Sequence, residues 1–222
     1  MEKRLTRRSS LVTLGGLAAA AAGWRTGDAG AGPAAVASGA VTCVLTPEMT
    51  EGPYYVPDEA VRRNITEGLP GTPLALHLTV VNASKCQAIA GAKVDIWHAN
   101  ALGVYSGVRG NTGTFMRGVQ LTNAHGLALF ETVYPGWYTG RTVHVHVKVH
   151  LGGNVVHTGQ LFFPDSLTDT AYKKAPYSSR PGRDTRNTTD AIFRNGGSRS
   201  MLKLSRSGSG YVGAISLGVH RT

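Results

Sequence analysis

The stretch Arg141-Thr-Val-His-Val-His-Val-Lys-Val-His150 alternates without a break. Successive side chains of a strand point to opposite faces. Val143, Val145, Val147 and Val149 therefore share one face, and His144, His146, Lys148 and His150 the other. The valines mark the side that packs into a core. Two histidines at i and i+2 on one face stand roughly 6–7 Å apart at Cα. Their imidazoles can converge on one metal ion.

Strand-like runs surround this one: Leu74–Val81, Ala92–Trp97, Phe115–Leu121, Leu127–Val133, Val155–Phe163, Met201–Leu204 and Tyr211–Val219. Turn signals separate them, and no long stretch carries a helical period. The expectation is an all-β domain, a β-sandwich of mixed short strands with long loops. One short helix fits around Ser166–Lys174. Residues 41–73 are rich in turn formers and carry Thr50-Glu-Gly-Pro-Tyr-Tyr55. Gly and Pro there argue against regular structure. Residues 175–198 read as a long surface loop that could cross the mouth of a site.

The chain of 222 residues opens with a basic stretch containing Arg7-Arg8, followed by Ser9-Ser10-Leu11-Val12 and an apolar run through Ala22. Basic start, short apolar middle and small residues after it describe a secretory signal, here of twin-arginine type. The run is too short for a membrane span, which needs about 20 apolar residues. The expected division is a signal over residues 1–40 and one domain over 41–222, exported from the cytoplasm. Ala40-Val-Thr-Cys43 is a poor lipid-attachment signal, so no membrane anchor is expected after cleavage.

The first 40 residues hold five cations and two anions, so the formal charge of +10 falls to +7 for the remainder. Its Lys and Arg residues are scattered. The denser group, Arg180, Arg183, Arg186 and Arg194, lies among Pro, Gly, Asn and Thr and reads as a solvated surface. No aromatic residues interleave with it as a base-stacking groove would need, so nucleic acid is not an expected partner. A basic field could favour anionic aromatic substrates. The two cysteines, Cys43 and Cys86, form either one disulfide in an oxidising compartment or two buried thiols.

Two cysteines so far apart do not suggest a zinc cluster. Tyrosines lie nearer to the histidines: Gly103-Val-Tyr105 and Pro135-Gly-Trp-Tyr138 each follow a turn signal. Taken alone, either reads as an ordinary half-buried aromatic with a bonded hydroxyl. A phenol with pKa about 10 ligates poorly until a cation holds its anion. Two phenolates with two neutral imidazoles suit hard Fe(III) better than Zn(II) or Cu(I).

Val94-Asp-Ile-Trp-His-Ala-Asn-Ala-Leu-Gly-Val-Tyr105 resembles the first tyrosine motif of the intradiol ring-cleavage dioxygenases. Thr132-Val-Tyr-Pro-Gly-Trp-Tyr-Thr-Gly-Arg-Thr-Val-His-Val-His146 is similar to that family's core signature, and Thr158-Gly-Gln-Leu-Phe-Phe163 to the strand after it. The resemblance implies a non-haem Fe(III) enzyme that inserts both atoms of O2 into a catechol-type ring. Cleavage between the two hydroxylated carbons would give a muconate-type diacid. It implies iron ligation by Tyr105, Tyr138, His144 and His146, with Tyr138 displaced by substrate and Tyr105 retained. Arg141 matches the family's active-site arginine and Gln160 its glutamine, while Tyr54 would border the pocket. Four further histidines, His98, His125, His150 and His157, are not expected to ligate, and His125 and His157 read as turn or surface residues. The long helical dimerisation segment of the catechol enzymes is not legible, so a homodimer stays open. Two other readings of the same residues also stay open. One is a transthyretin-like binding module without catalysis, and the other a secreted Zn or Cu enzyme using His144 and His146.

Overall fold

The computed structural model describes residues 43–57 and 59–220. The expected signal, residues 1–40, lies outside them. Nine strands among the described residues make two sheets. The first contains β1 (Pro73–Asn82), β2 (Gln87–Ala88), β5 (Leu127–Val133), β8 (Lys203–Ser207) and β9 (Gly210–Val219). Its centre is β1, paired in parallel with β9 on one side and antiparallel with β5 and β2 on the other. The second runs β4 (Arg117–Leu121), β3 (Lys93–Trp97), β6 (His144–Leu151), β7 (Asn154–Phe162), all antiparallel. This is the expected all-β sandwich. The two-residue β2 escaped the sequence reading because two residues show no period.

The core lies between the sheets. Leu74, Leu76, Leu78 and Val80 of β1 meet Val145, Val147 and Val149 of β6, with Phe130, Leu161 and Leu217 among the same cluster. Each such side chain contributes roughly 1.5–3 kcal/mol when buried. The opposite face of β6 is also buried, since His144, His146 and Lys148 are at most 6% exposed. Residues 46–55 cover that face, anchored by the Met49 N–H to the Thr158 carbonyl. As expected, this segment lacks regular structure.

A short helix, α1 (Asp165–Ala171), occupies the predicted place but ends sooner. Residues 175–198, expected as a long surface loop, are largely without regular structure but carry two short helical turns. They contain a 3-10 turn at Tyr177–Ser179 and a one-turn helix, α2 (Ala191–Arg194). Tyr177 is buried and gives its hydroxyl to the Tyr134 carbonyl, while Asn187 and Asp190 are buried too. Of the four arginines expected to be solvated, Arg186 and Arg194 are exposed, whereas Arg180 and Arg183 are only partly so. Arg183 pairs with Asp165 and Asp169 with its side chain 5% exposed. Arg180 donates to the carbonyls of Leu102 and Trp137. Composition reports solubility but not the partners that a fold supplies.

Cys43 and Cys86 form a disulfide with Cα atoms 5.2 Å apart. It ties the covering segment to the turn between β1 and β2. His157 departs from expectation, because it lies inside β7 and is 1% exposed. His98 is wholly buried, with Nδ1 on the Ala99 carbonyl and Nε2 on the Thr132 hydroxyl, both at 2.8 Å. Its role is structural.

Burial holds both His98 and His157 at a pKa of about 4, against 6.5 for an open chain. The folded state binds the neutral forms, so their stabilising effect is complete above pH 6.5 and drains as pH falls toward 4. Urea unfolding between pH 7 and 4 should show a loss on the order of 3 kcal/mol per histidine, and His157→Gln should flatten the slope. Separately, Cys43→Ser should lower unfolding free energy by about 2–4 kcal/mol, and reductant should lower the wild-type melting temperature without affecting that variant.

Candidate metal centre and pocket

Register places the site. On β6 the two imidazoles project from the face opposite the valines, and their Nε2 atoms lie 3.0 Å apart. The Nδ1 of His144 is 2.6 Å from the Thr142 carbonyl, which requires the proton on Nδ1. Its Nε2 lone pair therefore faces the site. Trp97, directly opposite His146 in the β3–β6 pairing, stacks on its ring at 4.8 Å with planes 6° apart. Gly52 closes the other approach, since a Cβ there would come within 3.2 Å of the His146 ring.

Two loops deliver the tyrosines. Asn100 accepts the N–H groups of Leu102 and Val104 with its side chain, which folds the chain after β3 into the turn carrying Tyr105. Gly103 adopts φ +77° and packs so closely on the Trp137 carbonyl that a Cβ would overlap it. The Tyr105 and Tyr138 loops are therefore fixed to one another. Tyr138 and Arg141 bridge across a tight turn, with Gly140 at φ +81°. The Tyr138 hydroxyl is 3.2 Å and the Tyr105 hydroxyl 3.5 Å from the His144 Nε2. The structure thus brings Tyr105, Tyr138, His144 and His146 together. Tyr105 is 5% exposed, whereas Tyr138 is only partly buried.

Electrostatics leaves this cluster short of positive charge at its centre. Burial, reinforced by Arg141, lowers His144 to about 3, and burial with the neighbouring His144 holds His146 well below its usual range. Burial raises the phenols of both Tyr105 and Tyr138. All four groups are thus neutral when left to themselves. Yet two phenol oxygens, the His146 Nε2 and an Arg141 nitrogen all crowd within 3.5 Å of one lone pair on His144. One lone pair cannot satisfy them all. A cation would, by accepting two nitrogens and two phenolate oxygens. Among the described residues no three of His, Cys, Asp and Glu gather as a metal set. The donor set is completed by oxygen from tyrosine, which suits a hard trivalent ion.

Arg141 and Gln160 flank the cluster. The Arg141 Nε donates to Asp190 at 2.8 Å and a terminal nitrogen to the Gln160 side-chain oxygen at 2.5 Å. The Gln160 amide in turn donates to the Thr50 carbonyl at 2.9 Å. Asp190 is 1% exposed. Burial raises its carboxyl, but the N–H groups of Phe193 and Thr142 together with Arg141 outweigh that and leave it below the usual range. Sequence reading missed Asp190, which lies 49 residues from Arg141 and carries no local signal beyond capping α2. It also missed Trp97, although strand pairing could have suggested it.

Tyr54 stands beside the tyrosine pair, its ring 4.5 Å from that of Tyr105 and 6.0 Å from that of Tyr138. Its neighbours hold it there. Lys148 pairs with Glu51 and lies 3.6 Å above the Tyr55 ring, and the Tyr55 hydroxyl donates to Asp95 at 3.1 Å. Tyr54, Tyr105 and Tyr138 together line a cavity of about 400 Å3. Of the other histidines, His98 is buried just beyond the end of β3 and His157 is buried within β7. His125 is exposed in a turn and His150 lies farther along β6.

Comparison with known proteins adds to this geometry. The profile of a family described as Dioxygenase matches residues 50–167. The structure is similar to an intradiol ring-cleavage dioxygenase from Tetranychus urticae, with a TM-score of 0.77 and 35% identity, covering 80% of this chain and 95% of that one. It is also similar to the dioxygenase domain of a dioxygenase carbohydrate-binding protein fusion from Streptomyces sp. SirexAA-E (TM-score 0.61, 34% identity, 78% and 96% covered). A chlorocatechol 1,2-dioxygenase of Pseudomonas putida is 27% identical over 135 residues, 51% of this chain and 52% of that one. The chain spans about half or less of the curated relatives it matches.

Replacing Asp190 by Asn keeps the shape but removes the charge that faces Arg141. Unfolding free energy should fall by about 2–3 kcal/mol, because a partly buried cation loses its anion. Urea titration of Asp190→Asn checks this, and an unchanged midpoint would show that Arg141 does not depend on the pair.

Proposed function

The chain belongs to the intradiol ring-cleavage dioxygenase family, and from that premise we propose that it cleaves a catechol-type ring with O2 at a non-haem ferric centre. Tyr105, Tyr138, His144 and His146 would hold the iron. The observation that supports this most is the meeting of two phenols and two neutral imidazoles around one point, with Arg141 beside them. Fe(III) bound there would supply Lewis acidity that draws electron density from a ring diolate and so opens the ring to O2.

The residues divide the remaining work. Tyr138 is the more exposed phenol and borders the cavity. It is the one that incoming substrate would displace, and its phenolate oxygen then takes a substrate proton. Tyr105 is buried and stays in place. Arg141, fixed by Asp190 and Gln160, presents a preorganised cation to negative charge developing on the ring. Tyr54 offers an aromatic wall for the ring, and residues 50–55 with Trp97 keep water from the His146 side. Both oxygen atoms of O2 enter the product, a muconate-type diacid formed by breaking the bond between the hydroxylated carbons. Export through the twin-arginine route is part of the same proposal and rests on residues 1–40.

The iron-loaded protein should be wine-red from tyrosinate-to-Fe(III) charge transfer, and the band should shift on adding catechol. Oxygen uptake should match product one to one. Tyr138→Phe should retain part of the colour from Tyr105 while the catechol-induced shift shrinks and turnover falls by about two orders of magnitude, as for a lost base. A folded, iron-loaded but colourless protein would sink the reading.

A further inference from the structure

The cavity above the tyrosine pair is one-sided in charge. Its lining includes Arg109, Arg180 and Asn111 beside Tyr54 and Tyr138, and among the described residues no Asp or Glu. At about 400 Å3 it falls in the range that encloses ligands larger than one six-membered ring. A ring with two hydroxyls alone would leave room for a substituent.

The two arginines are not equivalent. Arg180 is committed to the carbonyls of Leu102 and Trp137 and stacks on the Trp137 ring at 4.5 Å. Arg109 has no carboxylate partner among the described residues. Its guanidinium lies over the Tyr54 ring, 4.9 Å from the centroid. Tyr54 thus touches both the tyrosine pair and Arg109. The cation–π contact orients the guanidinium while leaving its N–H fork free. The backbone is committed as well. Arg109 sits at φ +52°, between Gly107 and Gly110 at +69° and +79°. That conformation favours glycine, yet a long cation occupies it and reaches the cavity.

We propose that Arg109 is a specificity-determining residue that binds an anionic substituent, so that the preferred substrate is a catechol carrying a carboxylate. This rests on the ring-cleavage reading above. The ring's two oxygens face the Tyr105, Tyr138 and histidine cluster, and its far edge faces the guanidinium. A planar fork matches a carboxylate through two parallel hydrogen bonds. The net positive charge of the chain draws anions toward the same opening.

The test uses the iron-loaded enzyme with 3,4-dihydroxybenzoate and 4-methylcatechol, which differ in charge at one ring position. The acid should be favoured about tenfold in kcat/KM, mainly through KM, as expected for a charge-assisted contact at a partly open site. Arg109→Met should bring that ratio close to one, and Arg109→Lys should restore part of it. In wild type the preference should shrink between low salt and about 0.5 M NaCl, where an exposed pair is screened. Calorimetric binding of 4-hydroxybenzoate against 4-methylphenol should show the same preference without turnover. A wild-type ratio near one, or a ratio unmoved in Arg109→Met, overturns the assignment. If 4-methylcatechol is opened but the acid is not favoured, only Arg109's role fails. If neither ring is opened by correctly loaded enzyme, the ring-cleavage reading fails with it.

Discussion

Strand β6 is buried on both faces, and the two faces are buried for opposite reasons. Val145, Val147 and Val149 leave water because they are apolar, and the facing sheet takes them up. His144, His146 and Lys148 leave water because residues 46–55 lie across them. A buried imidazole is tolerable only when neutral or bonded. The strand's period of two therefore fixes the site as firmly as it fixes the core. A slip of one residue would put histidines between the sheets and valines into the pocket.

The tyrosines depend on this strand without belonging to it. They come from loops, which hold a side chain less firmly than a strand does, and each loop needs its own brace. Asn100 folds one loop, and the close approach of Gly103 to the Trp137 carbonyl fixes it against the other. The result is a cluster of neutral oxygen and nitrogen donors in a buried place. Such a cluster is poorly satisfied by itself and well matched to a hard cation. The same burial that raises the phenols would be reversed by a trivalent charge at the centre.

A second line of support runs from Asp190 through Arg141 and Gln160 to the Thr50 carbonyl. It joins the segment after α1 to the segment before β1, with the site between them. Residues 175–198 thus hold one flank of the cluster and send Arg180 to the cavity, where a loop crossing the mouth of the site would lie. The covering segment is secured twice more, by Lys148 under Tyr55 and by the disulfide at Cys43. Enclosure of this kind lets one exposed cation, Arg109, remain at the mouth with no ion-pair partner among the described residues.

The sequence by itself determined the all-β class, since strand periods of two are local and survive any tertiary arrangement. It determined that His144 and His146 share a face for the same reason. The order of Tyr105, Tyr138, Arg141 and Gln160 was legible through family resemblance, not through spacing. Only the tertiary structure decided which of the available partners each group meets. Asp190 reaches Arg141 across 49 residues, Trp97 reaches His146 across a strand pair, and His157 is buried within β7. These pairings are set by where loops and sheets close upon one another. Composition carries no record of that closure, which is why Arg183 read as solvated and is instead held by two carboxylates.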